Sequence, residues 1–439
     1  MTYAKTILTT YPTWPERYGD PSWLIHDRFG LFIHWGIYSS AARHEWVMNR
    51  EKIHPDSYRT YFDHFEPDLY DPGVWARSAR DAGMKYFVVT SKHHDGFCLW
   101  DSQLTEYKAT NTPAGRDLLR PMLEAFRGEG LKVGLYHSLI DWHHPEFPID
   151  GFHPQREDEA FKQTAANRDI ARYRDYLHGQ VRELLTNYGR IDYLWFDFSY
   201  PYQDWGWSQG KGPEDWHSEE LERLVVELQP HILLNDRLYL HRGVVTPEQY
   251  QPVEPIRKDG QPVIWEACQT LNGSWGYDRD NLDWKPVPML VKMLVDTVSK
   301  GGNLLLNVGP NARGEFDPRS VESLRGIGRW MRLHGRSIYG ATSSEFQAPP
   351  DCRYTQRGNR LYLHLFAWPY RHVHLEGLAG RIEYAQLLND ASEIRFVEHE
   401  AREPQGATDF VAQPGTVTLT LPVQQPDVDV PVVELFLKG

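Results

Sequence analysis

The chain has 439 residues, with 47 Lys and Arg against 60 Asp and Glu, a formal net charge of −13. That balance excludes a nucleic-acid binder working through clustered positive charge. Hydrophobic residues at 41% and charged residues at 24% exclude a disordered chain.

Short apolar runs alternate with segments of helical period, the pattern of a parallel sheet wrapped by helices. Strands are predicted at Phe29 to Trp35, Tyr86 to Ser91, Val133 to His137, Ile191 to Asp197, Ile232 to Asn235, Val263 to Glu266 and Leu304 to Val308. Several are apolar on both faces, as buried parallel strands are. Between them, Asp71 and Pro72 read as an N-cap and first-turn proline of a helix that Gly83 ends. Further helical stripes run through Leu118 to Phe126, Val181 to Tyr188, Leu221 to Leu228 and Leu290 to Val298, and another starts at Asp317 and Pro318. No Gly-rich phosphate loop follows the first strand, so a (β/α)8-like barrel fits better than a nucleotide-binding open sheet. After about Gly340 the period changes to two, in Leu361 to Leu365 and again in Val417 to Leu421, among prolines. The expected organisation is a barrel over residues 1–340 and a C-terminal antiparallel β-sandwich over residues 341–439.

Three well-separated cysteines, Cys98, Cys268 and Cys352, make neither a disulfide framework nor a zinc knuckle. Residues 1–20 contain Lys5, Pro12, Pro15 and Glu16 and build no apolar run long enough for a signal peptide or membrane span. A cytoplasmic protein with no membrane partner is expected. A homo-oligomer is compatible with everything in the sequence.

Barrel active sites form at the carboxyl ends of the strands, and polar residues collect there: His34 and Trp35; Lys92, His93, His94 and Asp95; Tyr136 and His137; Asp197; Asn235, Asp236 and Arg237; Trp265 and Glu266. Any one of these could merely cap a helix or satisfy a loop amide; six strand ends together point to chemistry. A metal hydrolase would use His34, His93, His94, His137 and Asp197. Against it, the usual His spacings are missing, and adjacent His93 and His94 on a strand would face opposite ways. A carbohydrate hydrolase would pair two carboxyl groups among aromatic and imidazole side chains. Asp197, closing the stiff run Tyr193 to Phe196, is the best first carboxylate. The 16 Trp residues suit stacking on sugar rings. A non-catalytic sugar binder on the same barrel is the third reading.

The motifs RFGLFIHWGIY (Arg28 to Tyr38), YFVVTSKHHDGFCLW (Tyr86 to Trp100), VGLYHSLIDW (Val133 to Trp142), IDYLWFD (Ile191 to Asp197), WEACQTLNGSWGY (Trp265 to Tyr277) and KGGNLLLNVGPNARG (Lys300 to Gly314) resemble the α-L-fucosidases of glycoside hydrolase family 29. The resemblance runs from about residue 20 to 340. It implies a retaining exo-hydrolase of fucosylated oligosaccharides or glycoconjugates that needs no metal or organic cofactor. Asp197 is implied as the nucleophile that forms a covalent fucosyl-enzyme. His34, Glu45, Trp46, His93, His94, His137 and Trp195 are implied around the sugar, and Arg237 beside the nucleophile, where a cation suits an anionic attacking group. The family commonly has Gly after the nucleophile; this chain has Phe198. For the general acid/base, Glu248 is favoured on the loop after the fifth strand, with Glu266 as its rival or as a residue that anchors neighbouring strands.

Overall fold

The computed structural model describes residues 9–400, 406 and 413–438. Its first part is a seven-stranded parallel sheet built from β1 (Phe29–Ile33), β2 (Tyr86–Lys92), β3 (Lys132–Ser138), β4 (Tyr193–Asp197), β5 (Leu233–Leu234), β8 (Glu266–Thr270) and β9 (Asn303–Val308). A small exposed hairpin, β6 (Arg257–Lys258) and β7 (Gln261–Pro262), lies between β5 and β8. The strand order β5-β4-β3-β2-β1-β9-β8 leaves β5 and β8 at opposite edges, and the curled sheet brings those edges round toward each other. The segment from Val244 to Gln249 joins them. It makes parallel bridges to Asn235 on one side and to Trp265 and Cys268 on the other. Pro247 offers no N–H for a regular ladder, so this eighth stave closes the barrel through isolated contacts such as Val244 N–H to Leu234 O at 2.9 Å and Cys268 N–H to Pro247 O at 3.0 Å.

Helices cover the outside. Pro72–Asp81 begins where expected, with the Asp71 carboxylate accepting from the backbone of Gly73 at 2.8 Å. Leu119–Gly128, Ile170–Asn187, Ser218–Leu228, Val287–Ser299 and Pro318–His334 follow. Each turns an apolar stripe onto strands that are buried on both faces, which is why those strands read as nearly unbroken hydrophobic runs. None of the described helices is long and apolar enough to cross a membrane.

The barrel interior is crossed by large rings, and this depends on one glycine. A Cβ on Gly30 would lie 2.4 Å from the Tyr86 ring. With hydrogen there, the phenol reaches across the barrel floor to Glu266. Glu266 itself sits where the sequence did not place it. The predicted strand ending at Glu266 is instead a strand that begins there, so its carboxyl lies at the bottom of the barrel and not at the mouth.

The C-terminal part holds two antiparallel sheets: β10 (Cys352–Arg357), β11 (Arg360–Leu365), β13 (Ile382–Leu387) and β16 (Val432–Leu437) in one, and β12 (His372–Leu375), β14 (Arg395–Glu398) and β15 (Val417–Thr420) in the other. Alternate residues such as Leu363, Leu375, Leu419 and Leu435 fill a core of their own, the sandwich arrangement.

Candidate active site

A cavity of about 320 Å³ opens at the carboxyl ends of the strands. Most residues named from sequence converge on it: His34, Glu45, Trp46, His93, His94, Trp195, Asp197, Arg237 and Glu248 all line its wall. Asp197 is the last residue of β4. One carboxylate oxygen accepts from the Tyr136 hydroxyl at 2.8 Å and the other from the Arg237 guanidinium at 2.7 Å. The same guanidinium donates to Glu248 at 2.8 Å through its second terminal nitrogen, so a single cation spans both carboxylates. Its Nε donates to Thr246 Oγ1 at 2.9 Å and its second terminal nitrogen also to Thr246 O at 3.3 Å, and the guanidinium carbon lies 4.6 Å from the centre of the Trp195 ring. This is a fixed fork between two acids, the geometry for which Arg is suited.

Glu248 reaches the pocket because the barrel-closing stave carries it there, not because a long loop folds over. Its neighbour Gln249 lines the pocket too, and Cys268, beside them on β8, presents a buried thiol.

The histidines act as neutral groups. Burial pushes the pKa of His34 and His94 down to about 3 and that of His93 well below its usual value. Hydrogen bonds fix the tautomers of His34 and His94. Ser138 Oγ spends its proton on Ile140 O, so His94 Nδ1–H must donate to Ser138 Oγ, at 2.7 Å. In the same way Asn307 donates its amide to Trp275 O, leaving its oxygen to accept from His34 Nδ1 at 2.7 Å. Both Nε2 atoms are therefore acceptors. His94 Nε2 stands 3.7 Å from Asp197 Oδ2, two acceptors without a proton between them, an arrangement that receives a ligand hydroxyl as donor. Glu45, buried with its pKa raised by desolvation, accepts from the Gly276 backbone at 2.8 Å.

Sequence-based placement fails at three points. Adjacent His93 and His94 do not face opposite ways: β2 ends at Lys92, and in the turn after it both rings enter the pocket with centroids 4.1 Å apart. His137 does not line the pocket. On β3 it alternates with Tyr136, and with Tyr136 inward, His137 points out of the barrel, bonding Ser91 Oγ at 3.0 Å. Glu266 does not line it either. It is fully buried beneath the cavity, accepting from Tyr86, from the Tyr193 hydroxyl at 3.3 Å and from Trp195 Nε1 at 3.3 Å, and burial raises its pKa to about 7. The pocket also contains Phe32, Arg50, Tyr136, Phe198 and Trp275. Tyr136 and His137 are adjacent on β3 and both buried, and no local signal in the sequence marks Tyr136 as the one that faces inward. Among the described residues no three His, Cys, Asp or Glu side chains converge as a metal cage.

Residues 8–336 match the family model described as alpha-L-fucosidase. The chain belongs to the α-L-fucosidase family. These proteins are glycoside hydrolases. Among curated family members, the plasma alpha-L-fucosidase of Homo sapiens is 31% identical over 398 residues, covering 82% of this chain and 79% of the human one. Among solved fucosidases, isoenzyme 1 from Paenibacillus thiaminolyticus shares 47% identity at a TM-score of 0.88, over 95% of this chain and 99% of that one. A family 29 fucosidase from Bacteroides thetaiotaomicron, solved as a trapped covalent intermediate with 2-fluoro-fucosyl fluoride, shares 26% identity at a TM-score of 0.79, over 95% of each chain.

Proposed function

We propose that this fucosidase-family chain removes terminal α-L-fucose from oligosaccharides or glycoconjugates with retention of configuration. Asp197 attacks the anomeric carbon as the glycosidic C–O bond breaks, and Glu248 delivers its proton to the departing oxygen. In the second step water returns a proton to Glu248 while its oxygen displaces the Asp197 ester. The observation that carries this reading is the seating of Asp197 at the barrel mouth, one oxygen held by Arg237 and the other by Tyr136, with a second carboxyl, Glu248, in the same pocket. Preorganisation of that kind spares the attacking group any search for its geometry. The trapped intermediate of the Bacteroides relative supports the covalent step. His34 and His94, as neutral acceptors, suit the sugar hydroxyls, and Phe32 and Trp275 offer apolar surface for a deoxy carbon.

The test is the variant Asp197→Ala. Its turnover of an aryl α-L-fucoside should fall by at least about 10³-fold, with partial recovery in azide and formation of a fucosyl azide. Wild-type activity in that variant would overturn the assignment. Dialysis against a chelator should leave activity unchanged; loss restored by zinc would favour the metal reading, and fucose binding without turnover of any fucoside the lectin-like one. A cytoplasmic location is part of the proposal, and the three cysteines, buried and free, suit a reducing compartment.

A further inference from the structure

Glu266 is the group the mechanism above does not use. It is a fully buried carboxyl at the barrel floor, and no cation pairs with it among the described residues. Burying a carboxyl this way is costly, and a hydrocarbon of similar size would fill the floor with less penalty. What distinguishes its three donors is Trp195. That indole gives its N–H to Glu266 at 3.3 Å. One neighbour of the ring is Tyr136, stacked at 5.8 Å between centroids and 20° between planes. Another is the Arg237 guanidinium, 4.6 Å from the ring centre. These are the two groups that donate to the two oxygens of Asp197. One ring therefore contacts both donors, and one carboxyl accepts the N–H of that ring.

We propose that Glu266 is a positioning residue for Asp197, acting through the Trp195 indole on Tyr136 and Arg237 together. The inference rests on the fucoside-hydrolysis reading and adds to it a residue that never touches the sugar. It distinguishes Glu266 from Tyr193, which donates to the same carboxyl but takes no part in the Trp195 N–H contact.

The test is a set of variants assayed on 4-nitrophenyl α-L-fucoside. Glu266→Gln, which keeps the volume but weakens the acceptor, should lower kcat about tenfold with KM within about twofold, because the pocket wall is intact while the nucleophile is loosened. Trp195→Phe removes the N–H. In that background Glu266→Gln should cost less than about twofold in kcat/KM, since its route to Asp197 is gone. Tyr193→Phe should leave kcat within about twofold. Wild-type kcat in Glu266→Gln, an undiminished Glu266→Gln effect in the Trp195→Phe background, or a Tyr193→Phe loss as large as that of Glu266→Gln would each overturn the inference while leaving fucosidase activity established. If Glu266→Gln does not fold, the comparison of Trp195→Phe with Tyr193→Phe decides: equal kcat in the two refutes it. An inactive wild type would refute this inference and the parent reading together.

Discussion

Phe198 carries a backbone that suits glycine. Its φ is +81°, in the left-handed region that costs an L-residue about 1–2 kcal/mol. The ring makes up for this by packing between His94, Trp46, Phe152 and Tyr200, at centroid distances of 4.8 to 5.2 Å. Two truncations separate the terms. Phe198→Ala loses the packing and keeps the strain, whereas Phe198→Gly loses both. Glycine is therefore expected to be more stable than alanine here by about 1 kcal/mol in denaturant unfolding, the reverse of the usual order, and an Ala variant at least as stable as Gly would refute the argument. Glu248 allows a kinetic test at the same scale. If it protonates the leaving oxygen, Glu248→Ala should lose about 10² to 10⁴-fold on a fucosyl oligosaccharide but far less on an aryl fucoside whose leaving group needs no proton. Equal losses on both substrates would reject the role. The sequence carried much of this site, since strand-end polar residues assembled as a barrel requires. What it lacked was facing: nothing local in Tyr136-His137 says which enters the barrel.

Among elements, the strands with long apolar runs were readable because both of their faces are buried, and the closing stave and β8 were not. Val244 to Gln249 makes single bridges around Pro247 and so has no strand periodicity. β8 begins at a carboxyl whose donors come from β2 and β4, far away in the chain, so Glu266 looked like a strand end. The turn after β2 has a consequence for pH dependence. It holds His93 and His94 buried and neutral, with the His94 pKa at about 3 in the fold against an ordinary value near 6.5. Below pH 6.5 the unfolded chain takes up a proton that the folded one refuses until about pH 3, so this group lowers stability as pH falls through that window. Between pH 6.5 and 5 the loss is about 2 kcal/mol. His94→Asn, whose amide can reach Ser138 but does not titrate, should therefore close the gap to wild type as pH drops. Thermal melts at pH 7 and pH 5 check this: a gap between the two proteins that widens toward acid would contradict it.

At the scale of the whole molecule, the β-sandwich has its own core but also completes that of the barrel. Tyr362, Leu388, Val430 and Val432 belong to the same buried cluster as the barrel strands. Trp330 on the last barrel helix donates to Val430 O at 3.2 Å, and Thr355 Oγ1 donates to Ser337 O at 2.7 Å. Asp296 on the helix Val287–Ser299 accepts from Arg353 at 2.7 Å and Lys300 at 2.6 Å. Division of the chain into 1–340 and 341–439 is thus a proposal about architecture, and independent folding of the first piece does not follow from it. Four buried side chains at about 1.5–3 kcal/mol each amount to most of the 5–15 kcal/mol by which a domain is ordinarily stable. The half-exposed Arg353 contributes at most about 1 kcal/mol. A chain ending at residue 340 should accordingly aggregate or melt without cooperativity even though it contains every residue of the pocket, while Arg353→Ala in the full chain should shift Tm by only a few degrees. Light scattering and a thermal melt of the two proteins decide the matter: a soluble 1–340 fragment with the full chain's Tm and activity would show that the sandwich is dispensable to the barrel.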